Sequence, residues 1–350
     1  MLCLLSPEQR VRRDHPLRRV KALADEALAE LSPLFDEMYA DCGRPSVPPE
    51  RLLKSMLLMA FFSVRSERMF CEQLDYNLLF RWFLGMDMVE DSFDATTFTK
   101  NRDRFLEHDV AGEFFRTVVE RAREEGLMSR EHFSVDGTLI EAWASMKSFR
   151  PKDEPPESSD SNGWGDFRGK KRSNETHASK TDPEARLMRK GRGREAKLSY
   201  MAHALMENRN GLLVDLLLTE ANGTAEREAA LEMLDELERG GRVTVGADKG
   251  YDTRDFVARC REAQATPHVA QNVHARRRSA VDGRTTRHAG YRVSQSIRAR
   301  IEPIFGWLKT VAGLRRTRHR GKDRTQFAAS MGGAAYNLLR MAKLMHPCAA

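Results

Sequence analysis

The stretch FSVDGTLIEAW, residues 133–143, places one acid inside an apolar run and follows it with glycine and threonine. This β-like texture predicts a buried strand. An aspartate within a buried strand is costly unless another group pairs with it or binds it. The stretch therefore predicts a strand of an α/β core, and it raises the question of which groups Asp136 meets.

The chain downstream of this strand alternates between strand and helix signals. Two apolar runs within 196–221 are separated by ENRNG at 207–211, which predicts a β-hairpin. Residues 226–240 predict an amphipathic helix, 242–248 a short buried strand, 253–265 a second helix, and 266–270 another strand. This order predicts a mixed α/β domain in which antiparallel strands come first and parallel crossovers follow.

The chain before and after the first strand has a different texture. Apolar residues at spacings of three and four within 16–126 predict about five helices, for DNA binding or for assembly. Residues 147 to about 194 are polar and rich in proline, serine and glycine, which predicts a long, partly disordered loop. We therefore expect a helical domain at 1–128 and a catalytic domain at 129–345 that carries this insertion.

The bulk composition excludes a membrane protein and a disulfide scaffold. Hydrophobic residues make up 41% and charged residues 31%, as in a soluble globular protein. The longest apolar run, at 52–64, is interrupted by Lys54 and is shorter than the roughly 20 residues of a membrane helix. The N-terminus has no signal peptide, and the five cysteines show no paired metal spacing. These features predict a cytoplasmic protein with free thiols.

The positive charge of the chain is concentrated near its C-terminus. The formal net charge is +7, but residues 272–324 alone contain fifteen Lys or Arg and three Asp or Glu. That segment carries +12, so the remainder of the chain sums to −5. Clusters of this kind neutralise phosphates and release counterions, which favours a nucleic acid partner over a merely solvated basic face.

Three acids lie in contexts that their surroundings do not explain: Asp136 in the first strand, Asp248 at the end of RVTVGAD, and Glu302 in SIRARIEPIFGWLK. A single strand-end aspartate is more often a cap or a turn residue. Two on adjacent strands, with a glutamate on a following helix, favour a shared site for a hard divalent cation. Two such ions can activate water or a hydroxyl group and stabilise the oxygen that leaves a phosphodiester.

The segment around Glu302 supports this hypothesis. Arg298, Glu302 and Lys309 would share one face of a continuous helix, so the two cations could reach phosphates near the acid. Pro303 disfavours helical geometry at the residue before it. The helix therefore either kinks at this point or begins there with Pro303 in its first turn.

Three motifs occur in order along the chain: VDGT at 135–138, ADKGYD at 247–252, and R-x3-E-x6-K at 298–309. This ordered set resembles the DDE transposases of the IS4/IS5 superfamily, most closely the IS5 group. Residues 44–86 are similar to the helical domain that precedes the catalytic core in those proteins, and residues 173–215 are similar to their insertion. The resemblance covers roughly residues 14–343.

The resemblance implies an RNase H-like catalytic domain in which Asp136, Asp248 and Glu302 hold two Mg²⁺ or Mn²⁺ ions. It also implies that Lys309 contacts DNA at the ends of the element. In one position the chain departs from the superfamily, which has a tyrosine three residues before the arginine where this chain has Gln295.

Four nearby residues have simpler interpretations. Asp252 is expected to be a turn residue or a helix cap, and Glu141 to point to the opposite face of the strand from the acid at 136. His177 and Trp164 are expected at the surface of the long loop, where a contact of Trp164 with a DNA end is the alternative.

Together these features predict a transposase of an insertion sequence that cleaves the element's ends and joins the freed 3′-hydroxyls to target DNA. Its partners would be double-stranded DNA and a second subunit, since two ends require two active sites. The basic segments at 275–278 and 314–322 are expected to line the DNA path, and the expected DNA contacts are Arg276, Arg277, Arg278, Arg298, Lys309, Arg315, Arg316, Arg318 and Arg320. Two alternatives stay open: a catalytically silent DNA-binding protein derived from a transposase, and an RNase H-fold nuclease that does not join strands.

Overall fold

The computed structural model describes residues 6–39, 46–152, 172–191, 193–238, 240–273 and 278–345. Trp164, Arg276 and Arg277 lie outside these ranges, so the expectations about them are untested. Within the ranges, no helix is both long and apolar enough to cross a membrane.

The N-terminal part of the described chain contains eight helices rather than the five expected from apolar spacing. Two of the additional helices arise because breaks at Leu31 and Asn77 divide segments that have continuous helical periodicity, and the third, at 7–10, precedes the segment for which five were expected. The helices are α1 (Pro7–Arg10), α2 (Leu17–Glu30), α3 (Ser32–Met38), α4 (Pro49–Phe61), α5 (Glu67–Tyr76), α6 (Leu78–Leu84), α7 (Thr96–Glu107) and α8 (Val110–Glu124).

The rest of the described chain is built on a six-stranded sheet. Its strands, together with two short ones that pair only with each other, are β1 (His132–Glu141), β2 (Phe149–Pro151), β3 (His177–Ser179), β4 (Arg186–Met188), β5 (Lys197–Glu207), β6 (Leu213–Glu220), β7 (Val243–Ala247) and β8 (Ala265–Val269). The order is β4-β5-β1-β7-β8, and β6 also pairs with β5. Strand β5 is antiparallel to both of its neighbours β1 and β6. Strand β7 is parallel to β1, and β8 is parallel to β7. The predicted mixed, RNase H-like sheet is confirmed.

Helices cover both faces of this sheet. They are α9 (Ala225–Asp235), α10 (Arg254–Glu262), α11 (Gly283–Thr286), α12 (Ala289–Ile297), α13 (Ile301–Thr310) and α14 (Lys322–Leu344). Alternate residues of β1 belong to different cores: Phe133 and Val135 pack in the cluster with α9 and α10, while Ile140 packs in the cluster with α13 and α14. This alternation follows from the two-residue period of a strand.

One apolar core joins the N-terminal helices to the sheet. Helix α14 packs against α2, α4 and α8 and also against β6. Gly333 lies at the closest approach, since a Cβ atom there would come within 3.1 Å of the Phe115 ring and 3.4 Å of Leu216. The last helix of the chain therefore belongs to both parts of the fold.

The described ends of the polar insertion are ordered, which corrects the expectation of a long loop there. Strands β2 and β3 pair with each other, and β4 adds to the edge of β5. Asn174 holds the second half in place, because its amide donates to the Leu187 carbonyl and its oxygen accepts the Leu187 N–H. Backbone pairing and one side-chain amide thus replace the apolar periodicity that the segment lacks.

A buried carboxylate holds the predicted hairpin between β5 and β6. Glu207 is completely buried, and its oxygens accept backbone N–H groups from four residues, namely Ser129, Arg209, Asn210 and Leu212, at 2.6–3.2 Å. The same side chain therefore closes the hairpin turn and anchors the segment that leads into β1.

We predict that Glu207→Leu destabilises the protein by about 3 kcal/mol or more, because the substitution leaves several buried N–H donors without an acceptor. Urea unfolding of the full chain measures the loss. The control Glu262→Leu, at an exposed site on α10, should change the free energy of unfolding by less than about 0.5 kcal/mol. Equal effects of the two substitutions would contradict the role of Glu207.

Candidate active site

The two predicted aspartates emerge from neighbouring parallel strands at the same level. Strand β1 pairs with β7 at Phe133↔Val245 and then at Ser134↔Gly246, which is the last pair between the two strands. Asp136 lies two residues beyond Ser134, and Asp248 lies two residues beyond Gly246. Since paired strands are about 4.8 Å apart, the equal offset brings the two carboxylates together at the end of β7.

A glycine lets the following helix approach these strands. A Cβ atom at Gly246 would lie 3.1 Å from the Ser134 hydroxyl, 3.5 Å from the Arg298 Cβ and 3.5 Å from the Ser294 carbonyl oxygen. Helix α12 therefore packs closely over β7 and places the residues that follow it near the aspartates.

Glu302 lies in the first turn of a new helix. A 3-10 turn at Arg298–Arg300 separates α12 from α13, and Pro303 occupies the third position of α13. Of the two alternatives for Pro303, the one in which the helix begins beside it is confirmed. Glu302 is exposed at this helix start.

The charges of Asp248 and Glu302 act on Asp136. Asp136 is half-buried, and burial is the largest cause that raises its pKa, to about 6. The Gly137 N–H and the Arg298 charge oppose the increase in the Asp136 pKa, whereas the charges of Asp248 and Glu302 add to it. Neighbouring negative charges disfavour each other's ionised form. A bound divalent cation would compensate this repulsion.

The donor set fits a hard cation, although the side chains do not converge on one point. Within the described ranges, no three His, Cys, Asp or Glu residues are close enough together to hold a metal ion as they stand. One oxygen of Asp136 accepts the Gly137 N–H at 2.8 Å, and one oxygen of Asp248 accepts the Gly250 N–H at 2.6 Å. Carboxylate oxygens are the donors that Mg²⁺ and Mn²⁺ prefer, so the chemistry of these side chains fits such a cation.

The structure adds a fourth acid that sequence reasoning missed. Glu226, in the first turn of α9, is half-buried, and its pKa is raised by burial and then by the charges of Asp136 and Asp248. Its signal in the sequence was weak, because an acid in the first turn of a helix is ordinary.

Gln295 has a definite role at the position where the resembled superfamily has tyrosine. Its amide nitrogen donates to the His268 carbonyl on β8, and its oxygen accepts the Arg298 Nε–H at 3.1 Å. Gln295 therefore orients Arg298 from the edge of the sheet. Tyr291 instead donates its hydroxyl to the Val269 carbonyl, so it braces α12 and does not replace the missing tyrosine.

Lys309 contacts strand β1 close to Asp136. Its Nζ donates to the Thr138 hydroxyl at 2.5 Å, and Thr138 is two residues beyond Asp136 on the same face of β1. Burial, then the charges of Lys190 and Arg315, lower the pKa of Lys309 to about 8.

The other predicted DNA contacts are spread along a longer path. Arg316 lies at the far end of β1, where its guanidinium donates to the Ala142 and Trp143 carbonyls and lies over the Trp143 ring. Arg318 donates to the Arg65 carbonyl and so faces the N-terminal helices. The remaining three described members, Arg278, Arg315 and Arg320, are exposed.

Two family models match the chain. The model described as "Transposase DDE domain" matches residues 129–338, which is more than half of the chain, and the model described as "Transposase domain (DUF772)" matches residues 5–104. The chain belongs to the DDE transposase family. The pair of matches indicates a transposase of the IS4/IS5 type, and placement in the IS5 group stays a prediction.

Solved structures of other transposases are similar to this one at low identity. The piggyBac transposase in a synaptic complex with hairpin DNA is 10% identical, with 93% of this chain and 73% of that chain covered, at a TM-score of 0.41. The Mos1 transposase in a paired-end complex with the left transposon end is 13% identical, with 65% and 62% covered, at a TM-score of 0.21. Because these scores are low, the family models and not these structures identify the transposase.

Asp252 of the transposase ends the 3-10 turn at Lys249–Tyr251, as the sequence suggested, and its side chain has a further role. It is buried, and its two oxygens accept the backbone N–H groups of Asn272 at 2.7 Å and Ala280 at 2.8 Å. The cap of α10 is Thr253, whose hydroxyl accepts the Phe256 N–H. Asp252 therefore closes the base of the basic segment that follows β8.

We predict that Asp136→Asn stabilises the metal-free transposase at pH 8 by roughly 1–3 kcal/mol. The pKa of Asp136 is raised in the folded state, so keeping it ionised costs stability above pH 6, and this cost disappears as the pH falls and the carboxylate takes up a proton. Urea unfolding at pH 5 and pH 8, with a chelator present, measures the difference.

The matched control for this prediction is Asp282→Asn. Arg284 lowers the pKa of Asp282 through a hydrogen bond, so removal of that carboxylate should lower the stability at pH 8 instead of raising it. The assignment of Asp136 is wrong if its substitution destabilises the metal-free protein at pH 8 as well.

Proposed function

We propose that the transposase cleaves the ends of its element and joins the freed 3′-hydroxyls to target DNA, with Asp136, Asp248 and Glu302 as the metal ligands. The observation that carries the proposal is the equal offset of the two aspartates beyond the paired part of β1 and β7. Asp136 lies on β1, Asp248 directly follows the last residue of β7, and Glu302 is exposed in the first turn of α13.

In the reaction, the bound cations and the protein side chains would have different roles. Asp136, Asp248 and Glu302 would hold two Mg²⁺ or Mn²⁺ ions, which would supply activation of a water or 3′-hydroxyl and stabilisation of the leaving oxygen. The aspartates would hold their positions because their strands belong to the core. Arg298, oriented by Gln295, and Lys309, oriented by Thr138, would contact phosphate oxygens on either side of the acids.

We propose that DNA follows the basic residues of the C-terminal region. The contacts would be Arg276, Arg277, Arg278, Arg298, Lys309, Arg315, Arg316, Arg318 and Arg320. The anchoring of Arg316 by two carbonyl groups at the end of β1 supports this path, since a pre-oriented guanidinium loses little entropy when it meets a phosphate.

The division into domains and the assembly are part of the same proposal. We assign residues 1–128 to DNA binding or assembly, and residues 129–345 to catalysis. Pairing two element ends requires two active sites, so we expect a dimer or a larger assembly on DNA. Because the substrate would be chromosomal DNA, we expect the transposase to act in the bacterial cytoplasm, at the nucleoid.

We predict that Asp136→Ala, Asp248→Ala and Glu302→Ala each lower Mg²⁺-dependent cleavage of the element's own ends by roughly 10³-fold or more, because each removes a ligand that no other group replaces. Gel-shift binding of the same DNA should remain within about threefold of wild type. Asp255→Ala, at an exposed site on α10, is the control and should cleave normally.

The same assay separates the alternatives. Cleaved donor with no joined product from the wild-type protein would indicate a nuclease that lacks strand transfer. Binding without any metal-dependent cleavage would indicate a DNA-binding protein that has lost its catalytic activity. Normal cleavage by the alanine variants would show that the three acids are not the metal ligands.

We predict that Lys309→Gln reduces the dependence of end binding on salt by about one phosphate contact at pH 7. The lowered pKa of Lys309 means that the free protein loses this charge as the pH rises through about 8, so the difference from wild type should shrink at pH 9. Fluorescence anisotropy at several salt concentrations measures the slope. Lys343→Gln, at the exposed end of α14, should leave the slope unchanged.

A further inference from the structure

The start of helix α9 is held in a defined place by side-chain contacts. The Asn222 carboxamide oxygen accepts the backbone N–H groups of Thr224 at 2.8 Å and Ala225 at 2.6 Å. These bonds satisfy donors that a helix leaves unpaired at its first turn. Glu226 follows immediately, so its backbone position is set by the loop after β6.

The side chain of Glu226 lies directly on the backbone beside Asp136. A Cβ atom built on Gly137 would be 2.8 Å from the Glu226 Cγ and 3.0 Å from its Oε1. No ordinary side chain at position 137 leaves room for the glutamate in this conformation. A side chain at this position would therefore displace the Glu226 carboxylate from the strand that carries Asp136, whereas glycine leaves it in place.

A second contact ties the same helix turn to the segment after Asp248. Arg227 donates to the Gly250 carbonyl at 3.4 Å and to the Gly223 carbonyl at 3.1 Å. Gly250 is also the residue whose N–H binds the Asp248 carboxylate. The first turn of α9 is thus linked to both aspartate-bearing segments, by a close approach on one side and by an arginine on the other.

Within the ranges that the structure describes, no hydrogen bond or ion pair reaches the Glu226 carboxylate, and the charge of Arg227 only partly offsets its burial and the charges of Asp136 and Asp248. Its neighbour Glu228, in the same turn, is exposed. Both acids would interact equally with the helix dipole, so the dipole does not explain why one of them is folded inward against two other acids. A cation bound among the three carboxylates would explain it.

We propose that Glu226 is a fourth carboxylate of the catalytic metal site, which acts with Asp136 and Asp248 from the first turn of α9. This inference rests on the proposed function, because it takes the two aspartates as metal ligands. It adds a residue outside the three acidic motifs to the groups that hold and position the divalent cation, and it gives the glycine at 137 a role in metal binding.

The test is direct titration of the full-length, DNA-free protein with Mn²⁺ at pH 7.5, in which electron paramagnetic resonance measures the free ion. We expect Glu226→Gln to weaken Mn²⁺ binding by roughly tenfold or more. Glu228→Gln is the matched control from the same helix turn, and it should leave the affinity within about twofold of wild type. Circular dichroism confirms that each variant is folded.

A double substitution tests the contact itself. Gly137→Ala should weaken Mn²⁺ binding in the wild-type background, because the new methyl group displaces Glu226. In a Glu226→Ala background the same substitution should have no further effect, since the space is then open. Equal losses in both backgrounds would overturn the proposal, because they would show that Gly137 acts on the strand and not through Glu226.

An Asp136→Asn arm separates this inference from the proposed function. If Asp136→Asn abolishes Mn²⁺ binding and Glu226→Gln does not alter it, the fourth ligand is refuted while the proposed site stands. If neither substitution alters binding, both are refuted. If Glu226→Gln weakens binding and Asp136→Asn does not, the glutamate does not share a site with the aspartate and the inference is overturned.

Discussion

The parallel pairing of β1 with β7 is the constraint on which the site depends. Ser134 and Gly246 form the last pair between the two strands, and an aspartate lies two residues after each of them. Two like charges therefore emerge side by side, which is unfavourable without a cation. The strands cannot relieve the repulsion by a shift in register, because a slip of one residue would exchange the side chains that β1 presents to its two cores, including Phe133, Val135 and Ile140. The apolar core thus maintains an arrangement that the carboxylates alone would avoid.

Two glycines decide which other elements reach this edge of the sheet. Gly246 lets α12 approach β7, and this approach places the start of α13, with Glu302, near the aspartates. Gly137 lets the first turn of α9 approach β1 from the other side. In both cases the missing Cβ atom matters more than backbone freedom, since neither glycine has a positive φ. The acids of the transposase are therefore gathered by close packing around two small residues.

The last helix couples the sheet to the N-terminal helices. Helix α14 packs on α2, α4 and α8 as well as on β6, and the rings of Phe105 and Phe327 stack across this junction. Arg324 adds an ion pair with Asp103 at the surface of the same junction. A DNA-binding or assembly surface on the N-terminal helices would consequently be connected to the catalytic sheet through packed side chains, although the two regions are distant along the chain.

The sequence by itself determined the features that have local causes: the hairpin at ENRNG, the strand and helix order after residue 130, and the motifs that identify a DDE transposase. Turn chemistry and apolar periodicity act over a few residues, so a linear pattern records them. Only the tertiary structure decided that Glu226 lies against Gly137, that Asp252 closes the loop after β8, and that the polar insertion forms strands. These features depend on register and close approach between segments far apart in the chain, and no local pattern encodes such contacts.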